Sequence, residues 1–273
     1  MYATGADLST PPLRLPALQA MKAEAAKITA ATAYDATFAA LLDRNQVDLI
    51  LVGDSLGMVV AGQANTLSVS VDSMLYHTQA VARGIRRAVL VADMPFGSFA
   101  DPQSSFRNAH RLVGEGGASM VKLEGAGHVL DSIHYLVERD IPVCAHLGLT
   151  PQSVHRLGGF KVQGREQDAA ETIQRAATAV AAAGASLLVL ECIPAPLAAA
   201  ITRSVAIPTI GIGAGPDCDG QILVCYDLLG LGNGRRPRFV KNFLAGAPSA
   251  DAAVADYVAA VRSGAFPAPE HCY

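Results

Sequence analysis

Eight short runs of apolar, mostly β-branched residues recur along the chain, and segments with helical patterning separate them. This alternation restricts the fold more than any other feature. The runs, each a predicted strand, are Ile28–Asp35, Leu49–Ser55, Ala88–Pro95, Met120–Gly125, Val143–Leu149, Leu187–Ile193, Pro208–Gly213 and Ile222–Leu229. They do not alternate polar with apolar. Strands of a parallel sheet read this way when helices cover both faces. The eighth run, with LVCYDLLGL, reads as either a strand or a short helix. Helices are expected around Phe38, Leu41 and Leu42, over Val71–Ile85, over Ser104–Gly114 with Ser104 or Ser105 as cap, over Leu130–Arg139, and over the alanine-rich Asp168–Ala183. Gly84, Gly117 and Gly184 fall near helix ends, where glycine is favoured. Eight β–α repeats in one chain of 273 residues predict an α/β protein, a (β/α)8 TIM barrel, with an open doubly wound sheet as the alternative.

No linker rich in Pro, Gly and Ser divides the chain. The expectation is a single barrel domain over 1–273, with an N-terminal extension over about 1–20 and a C-terminal helix or tail over about 249–273. Apolar residues make up 51% and charged residues 16%, enough for a large core. The net charge of −3, with no basic stripe, predicts neither nucleic acid nor an anionic membrane as partner. The longest uncharged run, Ala176 to Leu190, is broken by Gly184 and reads as helix, turn and strand rather than a membrane span. No signal-peptide stretch opens the sequence. The five cysteines include no CxxC pair and read as reduced thiols, with Cys272 exposed. Together these features predict a cytoplasmic protein.

The predicted strands end in ionisable residues. Asp35 closes the first, Gly53-Asp54-Ser55 the second and Asp93 the third; Lys122 and Glu124 lie in the fourth, His146 in the fifth and Glu191 in the sixth. A barrel gathers the C-terminal ends of its strands at one face, where catalytic groups sit. Burying a charge is costly unless it is paired or bound to a metal. Lys122 and Glu124, two apart, share one side of a strand. Several acids around one lysine repel one another unless a cation lies between them, and oxygen ligands suit Mg²⁺ or a similar hard divalent cation.

Each residue also has a plainer reading. Asp54 with Ser55 could cap a helix, and Asp93 before Met94-Pro95 could be a turn aspartate. Lys122 and Glu124 could be a structural ion pair, and His146 a satisfied core histidine. Glu191, isolated inside an apolar strand, is the hardest to explain structurally and implies a dry carboxyl. Asp35 reads as a helix cap and is left out of the site. The segment Gly211-x-Gly-x-Gly lacks the full dinucleotide-binding spacing and fits a pocket-lining turn better. Gly158 to Arg165 reads as a loop over the site.

Six segments carry a family resemblance: VGDSLGMVV (52–60), VLVADMPFGSF (89–99), VKLEG (121–125), HLGLTPQSVHRLGGFKVQGR (146–165), LECIP (190–194) and IPTIGIGAGPDCDGQILV (207–224). In this order and register the chain resembles the ketopantoate hydroxymethyltransferases from about residue 17 to about 245. The resemblance implies a (β/α)8 barrel that assembles as a homodecamer. It implies transfer of a hydroxymethyl group from 5,10-methylenetetrahydrofolate, the co-substrate, to 3-methyl-2-oxobutanoate. It implies Mg²⁺ held by Asp54, Asp93 and Glu124, keto-acid contacts from Asp54, Ser55, Asp93 and Lys122, a site histidine at His146, and Glu191 as the base. The chain departs from the family pattern at Gln63, commonly aromatic, and at Ser68, commonly proline. The alternatives are another metal-dependent barrel acting on oxo acids, of the phosphoenolpyruvate mutase or isocitrate lyase kind, and a non-catalytic scaffold barrel. The first uses a Lys-Lys-Cys-Gly-His loop that is missing here; in the second, buried unpaired acids would only destabilise.

Overall fold

A computed structural model of the chain describes residues 11–232 and 236–273. Its eight strands close into a parallel barrel in sequence order. They are β1 (Ile28–Thr32), β2 (Leu49–Val52), β3 (Val89–Asp93), β4 (Met120–Glu124), β5 (Val143–Gly148), β6 (Leu187–Glu191), β7 (Thr209–Ile212) and β8 (Gly220–Leu223). The helices are α1 (Leu15–Ala23), α2 (Ala36–Arg44), α3 (Leu56–Val59), α4 (Val71–Gly84), α5 (Pro102–His110), α6 (Val129–Val137), α7 (Val154–Leu157), α8 (Gln167–Ala182), α9 (Ala195–Ser204), α10 (Cys225–Leu228) and α11 (Ala250–Arg262).

Strands β1 to β7 are almost wholly buried, which explains their lack of alternation: one face fills the barrel and the other meets the helices. The closing pair, β8 with β1, is parallel from Ile28↔Gly220 to Ala31↔Leu223. Helix α11 covers this seam. The buried Tyr257 hydroxyl lies 2.7 Å from the Ala30 carbonyl and 2.9 Å from that of Gln221, on the two strands being joined.

The structure corrects three expectations. The eighth strand begins two residues before Ile222 and ends at Leu223, so of LVCYDLLGL only the first residue is strand, and the helical reading holds from Cys225 to Leu228 as α10. The helix predicted from Ser104 starts at Pro102. Asp101 caps it, accepting from the Gln103 and Ser104 backbone N–H groups, because a carboxylate followed by proline presets the first turn. Cys272 is half-buried rather than exposed, with its Sγ 3.3 Å from the Ala268 carbonyl. The other four cysteines are buried, and all five are free. Asp35 does cap α2, accepting from Thr37 and Phe38. Gly117 and Gly184 follow helices with φ of +82° and +100°. Among the described residues no helix is long and apolar enough to cross a membrane.

Candidate active site

The β-barrel directs all strand ends to one face, and there a cleft, partly open to solvent, cuts into the barrel. Asp54, Ser55, Asp93, Lys122, Glu124, His146 and Glu191 all line it, so every residue picked from the strand ends arrives at one place. Leu51, Val189, Ile212 and Ile222 supply apolar lining. The loop after α7 places half-exposed Phe160 at the rim.

Local backbone geometry sets these positions. Asp54 and Ser55 follow β2 in a turn that leads into α3, and Ser55 makes no side-chain cap, so the capping reading fails. The Asp54 backbone N–H instead donates to Asp93 Oδ2 at 2.9 Å. A Cβ at Gly53 would lie 2.7 Å from Ser55 Oγ and 3.5 Å from Asp93 Oδ2, so a larger residue there would have to turn the Ser55 hydroxyl aside. The Ser55 hydroxyl is 2.9 Å from the hydroxyl of buried Tyr34. The departures at Gln63 and Ser68 contact each other, the Ser68 hydroxyl donating to Gln63 Oε1.

Lys122 is the electrostatic centre. Its side chain is 4% exposed, and its Nζ lies 2.8 Å from Asp93 Oδ1 and 3.7 Å from Glu124 Oε1. Burial disfavours the charged ammonium, but Asp93, Glu124 and Asp54 together outweigh it and hold its pKa above the ordinary lysine value. Glu124 is the mirror case. Its burial disfavours ionisation, but Lys122 and His146 keep its carboxyl below the usual range. Asp54 goes the other way: burial first, then Asp93 and Glu124, push it well above the carboxylate range, with Lys122 and a Gln152 hydrogen bond too weak to offset them.

His146 bridges two acids, Nδ1 lying 3.4 Å from Glu124 Oε1 and Nε2 3.3 Å from Glu191 Oε2. Neither contact has hydrogen-bond direction, so charge is what joins them. Burial and the Lys122 ammonium depress the imidazole, yet Glu124 and Glu191 raise it to about 9. The protonated form therefore stabilises the fold. That contribution is complete below the ordinary value of 6.5 and is lost as pH rises through about 9. The Tm of metal-free protein should fall across this window, and a His146→Asn variant should lose that part of the slope.

Glu191 does not occupy the dry setting expected of it. At 16% it is the most exposed of the acids in contact with this network, because β6 ends at the cleft mouth. Two polar residues went unnoticed in the sequence. Tyr34 reads as strand, and Gln152 sits in a short turn after β5. Neither is charged, and only the Pro151-Gln152 step inside the fourth family-like segment marks Gln152 at all.

Could the acids hold a metal? Among the described residues, no three Asp, Glu, His or Cys side chains close around one point as they stand. Lys122 lies between two of them. The set still fits a hard ion that takes few protein ligands. Among the described residues Asp54 Oδ1 accepts no hydrogen bond, Asp93 Oδ1 meets the Lys122 ammonium, and Asp54 has an excess of negative neighbours. Mg²⁺ is commonly held by one or two carboxylates, with water and substrate completing its shell.

A family model described as ketopantoate hydroxymethyltransferase matches residues 12–269. Similar proteins named 3-methyl-2-oxobutanoate hydroxymethyltransferase include one from Stenotrophomonas maltophilia, 59% identical over 96% of both chains. One from Xylella fastidiosa is 58% identical over 96% of both. One from an Azoarcus species is 56% identical over 96% of this chain and 97% of its own. Among solved structures, a phosphonopyruvate hydrolase superposes with a TM-score of 0.61 at 16% identity, covering 80% of this chain and 83% of that one. A 2,3-dimethylmalate lyase of the phosphoenolpyruvate mutase and isocitrate lyase superfamily gives 0.58 at 15%, over 80% and 82%. At these identities the structures share the barrel.

Proposed function

The chain belongs to the ketopantoate hydroxymethyltransferase family, and we propose that it moves a one-carbon unit from 5,10-methylenetetrahydrofolate to 3-methyl-2-oxobutanoate, giving 2-dehydropantoate, with Mg²⁺ as the supporting ion. The observation that carries this is the convergence of the seven strand-end residues on one cleft, with a buried cation among the acids. A divalent ion held by Asp54 and Asp93, with Glu124 nearby, would supply charge for the keto oxygen as an enolate develops.

The residues account for the remaining work. The Lys122 ammonium has three donors and engages Asp93 with one, which leaves donors for the substrate carboxylate. The Ser55 hydroxyl, steadied by Tyr34, orients the keto acid. Glu191, at the cleft mouth on the opposite side of His146 from Glu124, takes the single proton from C3. His146 holds the Glu191 carboxyl and can pass its proton on. The C3–H bond breaks, a C3–C bond forms to the one-carbon unit, and the new hydroxyl oxygen comes from water, with tetrahydrofolate as the second product. The reading extends to one barrel unit per chain, a homodecamer, and a place in the cytoplasm, which suits five unpaired cysteines. Light scattering after size exclusion tests the assembly.

The chemistry is tested by incubating the protein with 3-methyl-2-oxobutanoate in D2O. Loss of the C3 proton signal with Mg²⁺, and its retention after EDTA, is the expected result. No exchange under either condition would overturn the proposal.

A further inference from the structure

Gln152 anchors two acids of the cleft from a single residue, and we propose that it is the positioning residue that sets how tightly the site binds a divalent cation. The inference rests on the metal-supported reading above. Gln152 is buried in the turn Pro151–Ser153 that follows β5. Its side-chain amide has two N–H groups, and both are engaged: one reaches Asp54 Oδ2 at 2.8 Å, the other the Met94 carbonyl at 2.9 Å. Its backbone N–H donates to Glu124 Oε2 at 3.0 Å. One residue thus ties together the ends of β2, β3 and β4.

The chemistry of the donor matters as much as its position. Among the described residues, the Asp54 carboxyl accepts no hydrogen bond except the one from Gln152. Asp93, by contrast, is paired with the Lys122 ammonium. A cationic donor neutralises part of the charge that a metal ion would otherwise meet. A neutral amide orients the carboxyl and leaves its charge intact, while Asp54 Oδ1 stays unbonded. Groups that orient metal ligands in this way typically change metal affinity 10- to 100-fold when removed. Gln152 therefore separates two duties: Asp93 is shared between the lysine and the cleft, and Asp54 is kept for a cation.

The test is direct titration of Mn²⁺ into substrate-free protein, read by electron paramagnetic resonance. Gln152→Leu removes both amide donors and keeps the backbone N–H to Glu124. Its Mn²⁺ affinity should fall roughly 10- to 100-fold. Turnover at saturating metal should recover most of the wild-type kcat, with the loss confined to the metal concentration required. A general packing defect would instead lower kcat at every metal concentration. Gln152→Met, closer in shape, gives the same readout if leucine is not tolerated. Mn²⁺ affinity within about twofold of wild type in the folded variant overturns the assignment, as does a kcat loss that metal cannot restore. Wild-type protein that binds no Mn²⁺ overturns the metal reading itself, which keeps the two failures apart.

Discussion

Replacing Glu191 with glutamine should slow exchange of the C3 proton of 3-methyl-2-oxobutanoate by roughly 10²- to 10⁴-fold, the usual worth of a positioned general base. The substitution keeps the shape of the side chain and removes its basicity. Glu191 is partly exposed and, among the described residues, touches the charged network through His146 alone, so folding and metal binding should survive. Thermal unfolding and Mn²⁺ titration check both. The measurement is proton exchange in D2O followed by NMR, which isolates deprotonation from the later folate step. Exchange at the wild-type rate would move the base elsewhere in the cleft. Loss of overall turnover with intact exchange would instead put Glu191 in the later transfer.

The barrel was legible because its signal is redundant. Each of eight buried strands reads as an apolar run, and an error at one leaves the other seven standing. The misplaced eighth strand shows where that fails. Gly220 and Gln221 carry no β-branched signal, and the apolar residues after Leu223 belong to α10. Site membership was legible for a related reason: a charge inside an apolar run needs an external explanation, and in a barrel that explanation lies at one face. What stayed hidden is the wiring. Spacing shows that Lys122 and Glu124 share a side of β4, yet nothing local shows that His146 lies between Glu124 and Glu191. Such contacts cross between neighbouring strands, β4 with β5 and β5 with β6, and depend on a register that neither strand carries by itself. Gln152 escaped for the opposite reason, since an amide in a turn provokes no electrostatic question until its partners are known.

The wiring also explains how the cleft holds an excess of acids. Asp54 carries an excess of negative surroundings, and Lys122 is the group that limits it. A cleft that must accept both a cation and an anionic keto acid cannot be neutralised fully beforehand, or neither would gain by entering. The buried ammonium settles the acids in the free protein and still faces the space a carboxylate would occupy.

Lys122→Met should therefore be the most destabilising single change in the cleft. Methionine keeps most of the volume, so packing changes little. What remains is Asp93 and Glu124 without their buried counter-charge, and breaking a buried ion pair on one side costs about 3–5 kcal/mol. At about 2–4 °C per kcal/mol for a chain of this size, the metal-free Tm should drop by about 10 °C. Some of that loss should return when Mg²⁺ is added, because a ligand at about 100 times its Kd contributes about 2.7 kcal/mol. The same cation now meets less competition, so the recovery in degrees should exceed that of wild type. Activity should not return with it, since the keto acid has lost the donor for its carboxylate and its KM should rise. Differential scanning calorimetry with and without Mg²⁺, paired with initial rates, checks each part. An unchanged metal-free Tm would mean that the acids are protonated or solvated in the free protein and that Lys122 serves substrate alone.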